Sequence, residues 1–190
     1  MPIITGPIQE ASPAPEGLYT GLRAMTVQDY VEANVKNGVQ HEGSTLLAIT
    51  GGGSNDTIFL TGSLPVSFKG RKISYSGLGV SAFIYKDPAY TGGTSTEYQN
   101  ANSINPVTGL SQIIVGATVT NDGDLSFAPV HSLGNASNQG KGAVVSAIES
   151  EHILAPNTAY LLRLTNLDPQ QQQVASHLSW YEGELDLPLS

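Results

Sequence analysis

The sequence predicts an all-β protein, a two-sheet sandwich of jelly-roll type with one short N-terminal helix and an extended N-terminal arm. Three observations predict it. The 190 residues contain 21 glycines and 11 prolines, too many punctuating residues for a helical bundle and natural for short strands joined by turns. From Thr45 onward apolar positions recur every second residue, the period of a half-buried strand. Apolar residues make up 39% and charged residues only 13%, enough to bury a core and too little charge for a disordered chain.

Met1 to Met25 holds Pro2, Pro7, Pro13 and Pro15 and no basic side chain before Arg23. That composition predicts an extended arm with little packed core of its own, either loose or docked on something else. Ile3, Ile4, Ile8 and Leu18 favour its docking on a partner, because a free tail gives apolar side chains nothing to bury against. The remainder, 26–190, is expected to be one sandwich domain.

Thr26 with Asp29 three residues on resembles a capping box. Val27, Tyr30, Val31 and Val35 then share a helical face, and Gly38 stands where a glycine stops a helix, so a helix is predicted over about 27–37. Thr45–Thr50, the turn Gly51–Asp56 and Thr57–Thr61 read as a hairpin. Leu64, Val66 and Phe68 alternate with polar positions, as do Leu78, Val80, Ala82 and Ile84. Ile113, Val115, Ala117 and Val119 form one further strand face, which Asn121-Asp122-Gly123-Asp124 turns back into Leu125–Val130 as a hairpin. Val144, Ser146 and Ile148 follow, then Tyr160, Leu162 and Leu164, then Val174, Leu178 and Trp180. About nine or ten strands of this kind fit two stacked sheets, with Trp180 on the core face of the last.

The segment Asp87–Leu110 breaks the rhythm. It is polar and almost without periodicity; loops of such length tend to carry function or to be mobile, and the alternative reading is a long surface excursion held by its own turns. Its Tyr, Asn, Thr and Gly content combines aromatic area with adaptable hydrogen bonding, which makes Tyr90, Tyr98, Asn100 and Asn102 the candidate contact side chains, together with Ile3, Ile4 and Ile8 of the arm.

Sixteen acidic against eight basic residues give a net charge of −8, a field that repels phosphate, so no nucleic-acid partner is expected. There is no cysteine, which removes disulfides, thiolate metal sites and thiol catalysis. The first residues lack a signal-peptide pattern and no run of apolar residues is long enough to span a bilayer, so neither secretion by that route nor a membrane is expected. His41, His131, His152 and His177 share no ligand spacing. Asp122 and Asp124 could attract calcium, but the remaining ligands of a calcium loop are missing and a turn is the simpler reading. Gly51-Gly52-Gly53-Ser54 lacks the lysine of a phosphate loop, Gly77-Leu78-Gly79 lacks the third glycine of a dinucleotide loop, and no nucleophile elbow is present. Glu182, Glu184 and Asp186 are the densest acids and read as a solvated or interfacial tail. No catalytic residues, cofactor or metal are therefore expected.

The segments Leu154-Ala155-Pro156-Asn157-Thr158-Ala159-Tyr160-Leu161-Leu162-Arg163 and Trp180-Tyr181-Glu182-Gly183-Glu184-Leu185-Asp186-Leu187-Pro188 are similar to the C-terminal half of small virion structural proteins of tailed bacteriophages, of the head decoration or cement kind. The stretch from Phe68-Lys69-Gly70-Arg71 to Tyr90-Thr91-Gly92-Gly93-Thr94 resembles the same group, so the resemblance covers roughly 57–188 and leaves the arm unmatched. It implies a β-sandwich that binds the major capsid protein on the exterior of an assembled shell, is made in the host cytoplasm, and acts as a homo-oligomer, with a trimer favoured. It supplies no catalytic residues. The competing reading is a receptor- or carbohydrate-binding module of a fibre or tail, with Tyr90 and Tyr98 stacking on sugar rings.

Overall fold

The structure, a computed structural model, describes residues 30–134, 143–144 and 151–183. The arm with Ile3, Ile4 and Ile8, the capping box at Thr26, the positions Ser146 and Ile148, and the acids Glu184 and Asp186 lie outside the described residues. In chain order the elements are α1 (Tyr30–Lys36), β1 (Gln40–Ile49), β2 (Ser54–Leu60), β3 (Val66–Tyr75), β4 (Gly79–Lys86), β5 (Ala89–Thr91), β6 (Thr94–Thr96), β7 (Gln99–Asn100), β8 (Gln112–Val115), β9 (Thr118–Asn121), β10 (Asp124–Leu125), β11 (Val130–Leu133), β12 (Ala143–Val144), β13 (His152–Leu154), β14 (Ala159–Asn166) and β15 (Gln172–Glu182).

They form two main antiparallel sheets. One has six strands in the order β12-β3-β15-β1-β7, with β13 also on β3; the other has seven, β10-β4-β14-β2-β8-β6, with β11 also on β4. Taking β10 with β11 and β12 with β13 as single interrupted strands, the chain changes sheet at every step except from β4 to β10. That connectivity is a jelly roll, two four-stranded sheets wound as two Greek keys, with β5 to β9 inserted between its fourth and fifth strands.

Three sequence expectations change in this light. Thr45–Thr61 is not a hairpin: β1 pairs with β15 and β7, whereas β2 pairs with β14 and β8, and the glycine turn carries the chain from one sheet to the other. Period two fixes which face a residue occupies and is silent on which strand lies beside it. The strand expected over Ile113–Val119 is two, β8 and β9, parted at Gly116 with φ 69°. Asn121–Asp124 is a turn without being a hairpin, since β9 pairs with β5 and β10 with β4.

Two apolar clusters fill the sandwich. Phe59, Phe68, Ile113, Leu162, Leu178 and Trp180 anchor one, and Ile49, Ile73, Val80, Leu164 and Val174 the other. Phe59 meets Phe68 and Trp180 edge-on, with centroids 6.0 and 5.2 Å apart, the arrangement ring quadrupoles prefer. The register between β3 and β15 slips at Ser179/Trp180, where Ser179 faces Gly70 and Trp180 faces Phe68. This bulge at Lys69 changes the phase of β3, so that Val66 and Phe68 point inward before it and Arg71, Ile73 and Tyr75 after it. A polar, normally exposed residue is thereby turned into the core.

On β14, Tyr160, Leu161 and Leu162 are buried in succession, so both faces of this central strand are covered. Across its outer face Arg163 makes bidentate contacts to Asp56 at 2.7 and 2.9 Å and to Asp122 at 2.5 and 2.9 Å. These hydrogen bonds raise the guanidinium's affinity for its proton, Asp56 first. Asp122, considered above as a calcium ligand, is thus an arginine's partner that pins the return of the insertion onto the sheet.

Candidate functional site

The insertion between β4 and β10 builds an open concavity. Although Asp87–Leu110 shows almost no periodicity in sequence, it holds the short strands β5, β6 and β7. Strand β6 extends the edge of the seven-stranded sheet beside β8, and β7 extends the edge of the six-stranded sheet beside β1. One short excursion therefore bridges the two sheets along an open flank of the sandwich. Strands of two or three residues are too brief to display a period.

Its anchor is the end of α1. Gly38, with φ 72°, donates to Val35 O at 3.0 Å while Val39 donates to Asn34 O at 3.1 Å, the paired bonds of a Schellman ending. Gly38 O in turn accepts from Asn100 Nδ2 at 2.6 Å and from Val107 N at 3.1 Å. Asn100 Nδ2 also reaches Val107 O at 2.9 Å, and Asn102 Nδ2 donates to Lys36 O at 3.0 Å. The Asn102 carboxamide oxygen accepts from Ile104 N and Asn105 N, both at 2.9 Å. Asn100 and Asn102, expected at a contact surface, have their side-chain amides engaged inside the chain, where they cap the helix and fold the insertion.

Tyr98 is also drawn inward. Its hydroxyl donates to Ser111 O at 2.9 Å, and its ring packs edge-on to Trp180 at 4.9 Å and to His41 at 5.4 Å. Gly109 is required opposite it, because a Cβ there would strike the Tyr98 hydroxyl. Burial and the nearby Glu182 carboxylate push the Tyr98 phenol up to about 12. Tyr90 is half-buried on β5, opposite Val119 at a bulge, and does not join this cluster.

Glu182 corrects the expectation of a solvated acidic tail. It is buried, and its carboxylate accepts from Leu110 N at 2.6 Å, Ser111 N at 3.0 Å and Trp180 Nε1 at 3.1 Å. A carboxylate holding three N–H donors locks residues 110–111 to the last strand. The signal was in the sequence, since Glu182 continues the even-numbered inward face of Val174, Leu178 and Trp180.

The result is a groove of about 370 Å³ lined by His41, Tyr98, Asn100, Pro106, Val107 and Thr108. His41 is 1% exposed; burial holds its imidazole below the usual 6.5, with Glu182 pulling the other way. Ile104, Val107 and Leu110 stand out to solvent from the same segment, 94%, 48% and 47% exposed.

The described residues show one nucleophile–base contact of the kind that precedes covalent catalysis, Ser81 Oγ to His131 Nδ1 at 2.7 Å. Ser81 is buried and lies directly opposite His131 in the β4–β11 ladder, while Phe83 meets the imidazole edge-on at 5.9 Å. Among the described residues no carboxylate is bonded to the histidine, and the Ser81 hydroxyl is buried, so the pair reads as a cross-strand link. No three His, Asp or Glu side chains converge in a metal-binding group among the described residues. No family model, curated protein or solved structure matches the chain.

Proposed function

We propose that the chain is a non-enzymatic structural protein of a tailed-phage virion that binds the major capsid protein on the assembled shell and stabilises it as a decoration protein, acting as a homo-oligomer. The observation that carries this reading is the braced insertion. A segment fixed by Asn100, Asn102 and Glu182 holds Ile104, Val107 and Leu110 out to water beside an open groove. Clustered exposed apolar side chains on a rigid support are suited to protein contact. The pre-organised backbone lowers the ordering cost of binding. The resemblance of 57–188 to head decoration proteins supplies the partner.

The test is co-sedimentation of the purified protein with expanded, undecorated shells of the cognate phage. Saturable binding that raises the shell's melting temperature is expected. Ile104→Asp with Val107→Asp should weaken binding at least tenfold while the free protein melts as before. No binding to shells, with retention on a glycan array, would replace this reading with the carbohydrate-binding one.

A further inference from the structure

Among the described residues β1 is the one long strand left open for most of its length on one side. Strands β2, β3, β4, β14 and β15 have strands on both sides. The other edge strands, β6, β7, β10, β11, β12 and β13, are two to four residues long, a shortness that keeps sheet edges from pairing. β1 runs for ten residues. It pairs with β15 throughout but with β7 only at His41 and Glu42, because the insertion leaves this edge for the other sheet, where Thr96 pairs with Ile113.

The backbone bonds at the start of β1 fix which groups are free. Gln40 O accepts from Ala101 N at 2.9 Å, on the β7 side, and Val39 O accepts from Glu182 N at 3.3 Å, on the β15 side. Backbone groups alternate in direction along a strand, so the even-numbered residues of β1 turn theirs away from β15. Beyond Glu42 these are Ser44, Leu46 and Ala48. All three are exposed, Leu46 by 73%, and their outward N–H and C=O groups have no partner among the described residues. The stretch Ser44-Thr45-Leu46-Leu47-Ala48 holds no charge and no proline, and its register with β15 is unbroken, so none of the usual devices blunts this edge.

We propose that the open edge of β1 pairs with the same edge of a second copy of the chain, antiparallel across a two-fold axis at Leu46, and joins the two six-stranded sheets. In that register Leu46 meets Leu46 of the partner subunit and Ser44 meets Ala48 of the partner subunit. Every outward backbone group of the three residues is then bonded, and the two Leu46 side chains cover each other. A second copy is the fitting occupant because the open run is its own complement when reversed about Leu46, as an isologous contact requires. Chains of net charge −8 repel one another, and an uncharged edge is where two of them meet with least repulsion. The inference rests on the homo-oligomer named above, whose interface it supplies, and not on the shell.

The full chain is followed by sedimentation velocity from about 1 to about 500 µM, and amide exchange is read residue by residue at both ends of that range. A ladder of five residues is smaller than a standard interface, so the dimer should dissociate on dilution. At high concentration the amides of Ser44, Leu46 and Ala48 should be protected, and on dilution they should exchange at least tenfold faster. Those of Thr45 and Leu47, which face β15, should stay protected at both ends. Leu46→Lys sets like charges against each other across the axis and should weaken dimerisation at least tenfold, while the variant melts as the parent does at a concentration where both are monomeric. The exchange pattern of the unaltered chain decides the matter even if that variant does not fold. A dimer in which the three even-numbered amides exchange freely would overturn the proposal and leave the homo-oligomer to another surface. Protection that is equal at every concentration and is lost on deleting residues 1–25 would overturn it by giving the edge to the arm. A chain monomeric throughout would overturn both this interface and the homo-oligomer, with shell binding still decided by co-sedimentation.

Discussion

Trp180 shows how much a single side chain organises. It is completely buried, touches Phe59, Tyr98 and His41 through ring contacts, and bonds Glu182 through its indole nitrogen. Trp180→Ala should therefore cost about 3–5 kcal/mol in denaturant unfolding, and a loss under 1 kcal/mol would mean the cluster does not pack as described. Tyr98 and Tyr90 should part company. Tyr98→Ser removes a core ring and a hydroxyl bond and should lower stability by about 2–4 kcal/mol, whereas Tyr90→Ser should leave melting unchanged and reveals any contact role through shell binding alone. His41 gives a pH dependence. Its folded imidazole titrates below 6.5 because burial disfavours the charged form, so as pH falls through 6.5 the unfolded chain takes up a proton that the folded chain refuses. Stability is full above that value and declines beneath it. His152 shifts the same way, also by burial, so His41→Phe should flatten the acid limb in part. A C2-proton NMR titration of His41 with a midpoint at or above 6.5 would contradict this.

At the scale of elements, the insertion is held by side chains that read as decoration in the sequence. Asn100→Ala strips donors from Gly38 O and Val107 O and should cost about 1–3 kcal/mol, with faster amide exchange at Val107 and around the end of α1. Gly38→Ala places a Cβ in left-handed backbone and against Asn105 O, and should loosen the same junction. Strands β4, β14 and β15 were legible in the sequence because each runs for eight residues or more with apolar side chains recurring at alternate positions, whereas β3 was legible only as far as Phe68. What escaped was decided between strands. The same alternation suits a hairpin and a sheet-to-sheet crossover, so β1 and β2 looked paired. Arg71 faced the wrong way until the bulge at Lys69 shifted the phase, which no periodicity count contains. Glu182 was legible and was missed because its neighbours Glu184 and Asp186 made it look like a tail.

At the scale of the whole molecule, the question is which parts fold the protein and which attach it. Among the described residues the buried apolar side chains run from Ile49 to Tyr181, and α1 ends in a Schellman turn closed within Asn34–Val39. The 25 residues that precede the helix region hold four prolines and the scattered Ile3, Ile4 and Ile8, which have no periodic pattern to place them in a sheet. Deleting residues 1–25 should accordingly shift the melting temperature by no more than about 2 °C, which corresponds to roughly 0.5–1 kcal/mol for a chain of this size. In the same variant, binding to undecorated shells should weaken at least tenfold, because a tethered second contact raises the effective concentration of the first. The braced insertion would then bind alone, and its apolar character predicts an affinity that changes little between low and moderate salt. A truncated chain that fails to fold would assign the arm to the sandwich. One that binds as tightly as the full chain would leave attachment to Ile104, Val107 and Leu110 by themselves.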